Sequence, residues 1–454
     1  MKESMSQQSN IQKQVDTPKD ESQLIFERDK EECITSSDFW YSRVIKNLTD
    51  KPEESLEKEI VETLKKEPPN MLSVIMERQC FFDCAHCMFP KQEKSSKEIS
   101  EEVGLAEIIK NIVKQMPTEN DPPYYEKPKF IHDGRMLRKW HIDILENVRK
   151  ERPDMRVGIV DNGSYISHLD ELKQRGFKFD WLEISIDGTE QSHNLQRDPE
   201  KKKSYQLAVD GLTHAREVTK LIEEGGNVTS LFTLTKLNHK NIEQVADFVF
   251  SPNPSESAFD PKTKKQLNYV DGFYITTMTP RIDKNFEVET SPEEFKKSWE
   301  QIKKVSEKYN KDGEEKIFMR MFDSRYLEKL NYAVGREKIK KAFLNADVMH
   351  GGLRLEIDGV HVDYYPYSIW PRETFTADVD GAYRGAFCQE YSIEELRSEK
   401  SSDGSDISSY TFKYLDGQTP YVETYKNAVD KWWEYFGKQL LRQEIEIIQK
   451  IIKE

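Results

Sequence analysis

Two rhythms of apolar positions run along the chain. Short apolar runs begin at Met71 (MLSVIM), Lys129 (KFIHD), Arg156 (RVGIVD), Trp181 (WLEISID), Asn227 (NVTSLFTLT) and Gly272 (GFYITTM). Between them, over 101–116, 140–152, 204–218 and 241–250, apolar residues recur every third or fourth position. Bounded apolar runs of this length predict buried parallel strands, and the intervening stretches predict amphipathic crossover helices. Successive right-handed βαβ units at this spacing predict an α/β fold, a full or partial barrel with its chemistry on loops at the C-terminal ends of the strands.

The flanks follow different patterns. Residues 1–24 carry almost no large side chains, too little apolar surface to offset the entropy of ordering them, and predict a disordered arm. Residues 25–70 predict an acidic helical cap, with Leu56, Ile60 and Leu64 on one face. The barrel pattern spans 71–290, and a smaller α+β domain is expected over 291–454. That last part holds a candidate seventh strand, KIFMRM from Lys316, and a predicted hairpin around Asp358-Gly359, a dipeptide suited to a tight turn. It closes on a long helix from about Tyr421, where Val422, Tyr425, Val429, Trp432, Phe436, Leu440 and Ile448 form a core-packing stripe.

Composition narrows the function classes. The 454 residues contain 68 Lys and Arg against 82 Asp and Glu, a net charge of −14, with 36% hydrophobic and 33% charged residues. An acidic excess disfavours phosphate-backbone binding, and there is no apolar run of ~18 residues, so neither nucleic acid nor membrane is an expected partner. The opening MKESMSQQSNIQKQ carries no apolar export signal, which predicts a soluble cytoplasmic protein with reduced cysteines.

Of the five cysteines, Cys80, Cys84 and Cys87 fall within eight residues, directly after the first predicted strand. Thiolates are soft ligands suited to iron–sulfur clusters or zinc, and three in one loop can hold three corners of a four-iron cluster. The absent fourth cysteine leaves one iron with a position for a substrate or cofactor. The competing reading is a structural zinc site completed by His86, His193 or another distant histidine, although the chain has no second ligand pair of the usual spacing.

This CxxxCxxC loop resembles that of the radical S-adenosylmethionine (radical SAM) superfamily, and the resemblance extends over about Met71 to Arg281. It implies a partial (β/α)6 barrel, one [4Fe-4S] cluster on Cys80, Cys84 and Cys87, and SAM bound to the open iron. By the same resemblance His86, before the third cysteine, meets the adenine, and Asp133 in His132-Asp133-Gly134-Arg135 stands where the family usually has GGEP, which binds the SAM amino group. Asp161-Asn162-Gly163 is similar to the family's third-strand turn. Ser185-Ile186-Asp187-Gly188 with His193 and Arg197 resembles the SxDG stretch of peptide-modifying members, which puts Ser185 and Asp187 near the ribose and Arg197 near the SAM carboxylate.

In this family reduced cluster and SAM together generate a radical that removes an unactivated hydrogen from the substrate, with the electron coming from a donor such as flavodoxin or ferredoxin. The segment Leu353–Val360 resembles the start of a SPASM or twitch domain without the cysteines of an auxiliary cluster. The lone C-terminal-half thiol, Cys388, resembles the hydrogen-atom donor of radical SAM peptide epimerases, including those acting on proteusin-type precursors. The leading expectation is therefore Cα epimerisation of a ribosomally made peptide, with a buried, chemically silent Cys388 as the alternative. Dehydrogenation or cross-linking with Asp363, Tyr364, Tyr365 or Tyr367 as base, modification of a sugar or antibiotic precursor, and a non-catalytic zinc scaffold are the other readings. A cobalamin-dependent methyltransferase is disfavoured because no further nucleotide-binding domain precedes the barrel.

Overall fold

The computed structural model describes most of residues 53–366, residues 375–378 and 437–453, and single positions at 41, 45, 423, 426, 429, 430 and 433; within 53–366 it leaves out 67–68, 77–79, 81, 83, 88–94, 120–126, 134–135, 199, 201–202, 261, 279–285, 312–313, 323 and 350–351. The first seven strands are β1 (Met71–Ile75), β2 (Lys129–Asp133), β3 (Arg156–Asp161), β4 (Trp181–Ser185), β5 (Asn227–Leu234), β6 (Gly272–Thr277) and β7 (Ile317–Met321). Each pairs in parallel with its sequence neighbour. Parallel neighbours need a crossover between them. Here it is supplied chiefly by α1 (Leu105–Gln115), α2 (Lys139–Glu151), α3 (Ser204–Val218), α4 (Ile242–Val249) and α5 (Pro292–Tyr309).

The sheet continues past β7 through β10 (Val360–Tyr364), β9 (Gly352–Ile357) and β8 (Asp347–Met349), while β11 (Phe375–Asp378) lies parallel to β1 at the opposite edge. Among the described residues β8 and β11 are the two ends of one 11-stranded sheet. This is the α/β partial-barrel architecture that the strand pattern predicts.

Its curvature is visible in one contact. Glu183 on β4 and Arg320 on β7 are separated by two strands, about 14 Å across a flat sheet, yet Oε2 and Nη1 are 3.4 Å apart. The sheet therefore curls around a lumen. Pleating sorts the side chains accordingly: Ile184 packs toward Gly211 of α3, whereas Trp181 and Glu183 face the lumen. Gly158 on β3 makes room for Trp181, because a Cβ there would lie 2.0 Å from the indole. Outside the sheet, the buried Tyr165 hydroxyl donates to the Gly211 carbonyl at 2.5 Å and ties the β3 loop to α3.

The periodic stretch at 101–116 is two helices, Ser96–Val103 and Leu105–Gln115, broken at Gly104. With φ at +68°, Gly104 caps the first and starts the second, so the chain turns although the apolar spacing hardly changes. The expected hairpin forms, with Asp358 and Gly359 both in the left-handed region at φ +54° and +77°. The helical segment Glu53–Leu64 buries Ile60 and Leu64, and its Glu57 lies 3.3 Å from Arg442 in the terminal helix Lys438–Lys453. Much of the remaining aromatic stripe, and the 1–24 arm, lie outside the described residues. No helix among the described residues is long and apolar enough to cross a membrane.

Candidate active site

The three-cysteine loop leaves β1 at the C-terminal mouth of the barrel. Two contacts fix it: Ala85 N donates to the Gln196 carbonyl at 2.7 Å, and Cys87 N donates to the Cys84 carbonyl at 3.0 Å. Asn162, just beyond β3, reaches Cys80 Sγ with Nδ2 at 3.7 Å, while its Oδ1 accepts from Ser164 N at 3.1 Å. The loop is thus anchored on the last turn of the helix Glu190–Arg197 and on the end of β3. None of the three is in a disulfide; Cys84 is buried and the other two are partly exposed.

Asp187, two residues past β4, is the hub beneath that loop and is fully buried. Its Oδ1 accepts from Thr233 N at 2.7 Å, and its Oδ2 accepts from Arg197 Nε. His86 Nε2 stands 3.7 Å from the same oxygen. The backbone of Asp187 is held too: its N–H donates to His193 Nδ1 at 2.9 Å, and its carbonyl accepts from Asn238 Nδ2 at 2.9 Å. Thr235 Oγ1 to Gln196 Oε1 at 2.6 Å closes the network between β5 and the helix. Gly188 is required at this turn, since its φ is +147° and a Cβ would meet Ser192 Oγ at 2.1 Å.

Burial dominates the electrostatics. It pushes the Cys84 thiol up to about 12 despite the opposing charge of Arg197. It lowers His86 to about 4 and His193 to about 3, so both rings are neutral at pH 7. Burial also raises the Asp187 carboxyl, but Arg197 and then His86 overcome it and hold Asp187 below its ordinary value. Arg197 remains a buried cation beside Cys84 and Cys80.

Three soft donors in one loop, with a buried cation behind them, fit an iron–sulfur cluster: a thiol as hard to ionise as Cys84 becomes a thiolate when a metal cation lies against it. Such a cluster, when bound, would be held by Cys80, Cys84 and Cys87 and would supply one-electron chemistry at this mouth. Among the described residues no group of three or more His, Cys, Asp and Glu stands close enough together to hold a metal ion as the side chains lie.

Residues 74–249 match the family model of the radical SAM superfamily. The stretch from β1 to α4 is a radical SAM domain. The chain is also similar to solved structures: Streptococcus suis SuiB bound to precursor peptide SuiA (11% identity, 82% of this chain and 72% of that one, TM-score 0.44), SuiB alone (12%, 85% and 81%, TM-score 0.44), and TYW1 with a lysine-pyruvate adduct bound (12%, 59% and 81%, TM-score 0.32). No curated protein matches the chain.

Around this radical SAM domain the fold gathers Cys80, Cys84, Cys87, His86, Asn162, Ser185, Asp187 and Arg197 at the strands' C-terminal ends. Asp133 ends β2 at the same mouth; Cys388, Tyr367 and Cys33 lie outside the described residues. Asp187 and Arg197 are partners of each other. His193 uses Nδ1 to hold the Asp187 turn. Asp363 is bonded twice to Arg354, at 2.7 and 3.1 Å, Tyr364 is buried against Phe343, and Tyr365 stacks on Phe322. Sequence reasoning missed Gln196, Thr233, Thr235 and Asn238, which hold the mouth together; as ordinary polar residues near strand and helix ends they give no signal before their partners are known.

Proposed function

We propose that Cys80, Cys84 and Cys87 hold one [4Fe-4S] cluster and that SAM binds its open iron, with His86 beside the adenine, Asp133 at the amino group, Asn162 among the SAM contacts, Ser185 and Asp187 near the ribose, and Arg197 near the SAM carboxylate. The observation that carries this reading is the anchoring of the three-thiol loop directly over the buried Asp187–Arg197 pair. Asp187, with both carboxylate oxygens accepting hydrogen bonds, also orients Arg197 and the loop.

The protein's own tasks follow from this geometry. The Ala85–Gln196 bond and the Asn162–Cys80 contact tie the three-cysteine loop to the helix Glu190–Arg197 and to the end of β3, Arg197 offsets negative charge, and the buried polar network keeps bulk water from beneath the loop. The substrate is a ribosomally made peptide, and the reaction is Cα epimerisation. On this reading one face of the Cα would lose its hydrogen atom to the SAM-derived radical and the other would take one from the Cys388 S–H; the Cys388 thiyl radical left behind would return to the thiol with one electron from the external donor and one proton from solvent. The SxDG motif with Arg197 and the lone Cys388 support this choice. Flavodoxin or ferredoxin supplies electrons, and the setting is the cytoplasm.

The test is anaerobic reconstitution with iron and sulfide, followed by incubation with SAM and candidate peptides in deuterated water. About four irons per chain, 5′-deoxyadenosine, and deuterium retained at an inverted Cα are expected. Cys388→Ala should still cleave SAM but give no inverted product. Zinc in place of iron, with no SAM cleavage, overturns the proposal, and full epimerisation by Cys388→Ala removes the donor role.

A further inference from the structure

A second polar site lies inside the lumen, below the cysteine loop. Arg320 of β7 is in register with Thr276 of β6, and Thr276 with Thr233 of β5, whose N–H holds Asp187. From there its side chain turns back along the lumen. The guanidinium centre stacks 3.7 Å from the centroid of Tyr274, and Nη1 reaches Glu183 at 3.4 Å. Tyr274 in turn stacks on Phe318 at 5.3 Å. An arginine held between an aromatic face and a carboxylate has its plane fixed before any ligand arrives.

Glu183 engages only one corner of the fork, through a long bond, and the same Oε2 is shared with the Thr229 hydroxyl at 3.4 Å. The other nearby carboxylate, Asp363, is in register with Arg320 but is saturated by Arg354. Among the described residues, Glu183 is the carboxylate bonded to the Arg320 guanidinium, and the Tyr274 hydroxyl also lies against it. The side chain keeps 28% of its surface accessible although it sits deep in the concave wall. A guanidinium oriented on one edge and open to a lumen on the other suits a planar anion, which it can grip with two parallel N–H bonds.

We propose that Arg320 is a substrate-anchoring residue that binds a carboxylate of the peptide inside the barrel, with Tyr274 and Glu183 as the positioning residues that fix its plane. This deepens the peptide-modifying reading given above and rests on it. The carboxylate comes from an acidic side chain near the modified residue or from the C-terminus of the peptide.

The experiment measures binding of three capped probes to the reconstituted full-length protein: acetyl-Ala-Glu-Ala-amide, acetyl-Ala-Gln-Ala-amide, and acetyl-Ala-Gln-Ala with a free carboxyl end. The expected result is binding of at least one acidic probe about tenfold tighter than the neutral one, equivalent to about 1.4 kcal/mol. The preferred probe identifies the source of the carboxylate. Arg320→Gln should abolish that preference, and Arg320→Lys should restore it in part.

A readout that needs no variant is phenylglyoxal labelling mapped by mass spectrometry. Arg320 should label in the free protein and be protected by the preferred acidic probe but not by the neutral one. Equal binding of all three probes, an acidic preference that survives Arg320→Gln, or labelling that the acidic probe leaves unchanged each overturns the proposal. SAM cleavage without peptide is followed in parallel in the wild type and in Arg320→Gln. Its absence from the wild type refutes the radical enzyme while the binding comparison still decides on Arg320, and its loss only in the variant assigns Arg320 to SAM and overturns the substrate role.

Discussion

Asp187→Asn probes the hub of the mouth with a nearly isosteric change. Asp187 is fully buried, and the Arg197 side chain it pairs with is 8% exposed, so solvent screens this pair little. Removing the negative charge leaves the guanidinium buried without a counter-charge, which typically costs 3–5 kcal/mol, or about 4 here. The amide must also choose: its oxygen can serve Thr233 N or Arg197 Nε, and its NH2 then meets the other donor, which adds about 1 kcal/mol or more. The assay is urea unfolding of the metal-free protein at pH 7, followed by tryptophan fluorescence and circular dichroism. Arg197→Gln should be destabilising for the mirror-image reason, and the double variant should lose less than the sum by about 1–3 kcal/mol. A loss below about 1 kcal/mol for Asp187→Asn, or strict additivity in the double variant, would refute the assignment of the pair as the clamp beneath the loop.

Three further outcomes are expected. His132 is fully buried on the helix side of β2, 4.6 Å from the His141 ring, and burial lowers it from 6.5 to about 4, an effect only partly offset by the Val74 and Met136 backbone. Because its folded value lies below its unfolded one, the stability it contributes is full above pH 6.5 and is lost as pH falls toward 4, by up to about 3 kcal/mol; His132→Leu should flatten the urea midpoint over that window, and an unchanged pH slope would count against it. Gly158→Ala places a methyl group 2.0 Å from the Trp181 ring and should lower stability by about 1–3 kcal/mol, with Trp181→Leu in the same chain restoring most of it; calorimetry checks both. Cys84→Ala should sharply lower the iron retained per chain after reconstitution and abolish SAM cleavage, whereas iron retention equal to wild type would remove Cys84 from the ligand set.

The strands from Met71 to Gly272 were legible because a parallel strand covered on both faces reads as a bounded apolar run, and each such run begins within the predicted register. The edge strands β8 and β11 were not, because three or four residues carry too little pattern to distinguish them from loop. Gly104 split a helix whose apolar spacing ran on almost unbroken, so only the backbone angle revealed the turn. The cysteine loop stood out because its three ligands are local in sequence. Gln196, Thr235 and Asn238 did not, because each takes its meaning from a partner on another element.

The sequence by itself determined the order of strands, the position of the three thiols after the first of them, and the placing of Asp187 and Arg197 near later strand ends. These depend on short-range patterns: alternation, periodicity and ligand spacing. Tertiary structure decided which charges meet. Arg197 faces Asp187 because a glycine turn and an eight-residue helix fold it back over the strand end. Arg320 meets Glu183, 137 residues earlier, because the sheet twists and closes part of a circle. That curvature is the sum of small rotations between neighbouring strands, and no single stretch of sequence encodes it.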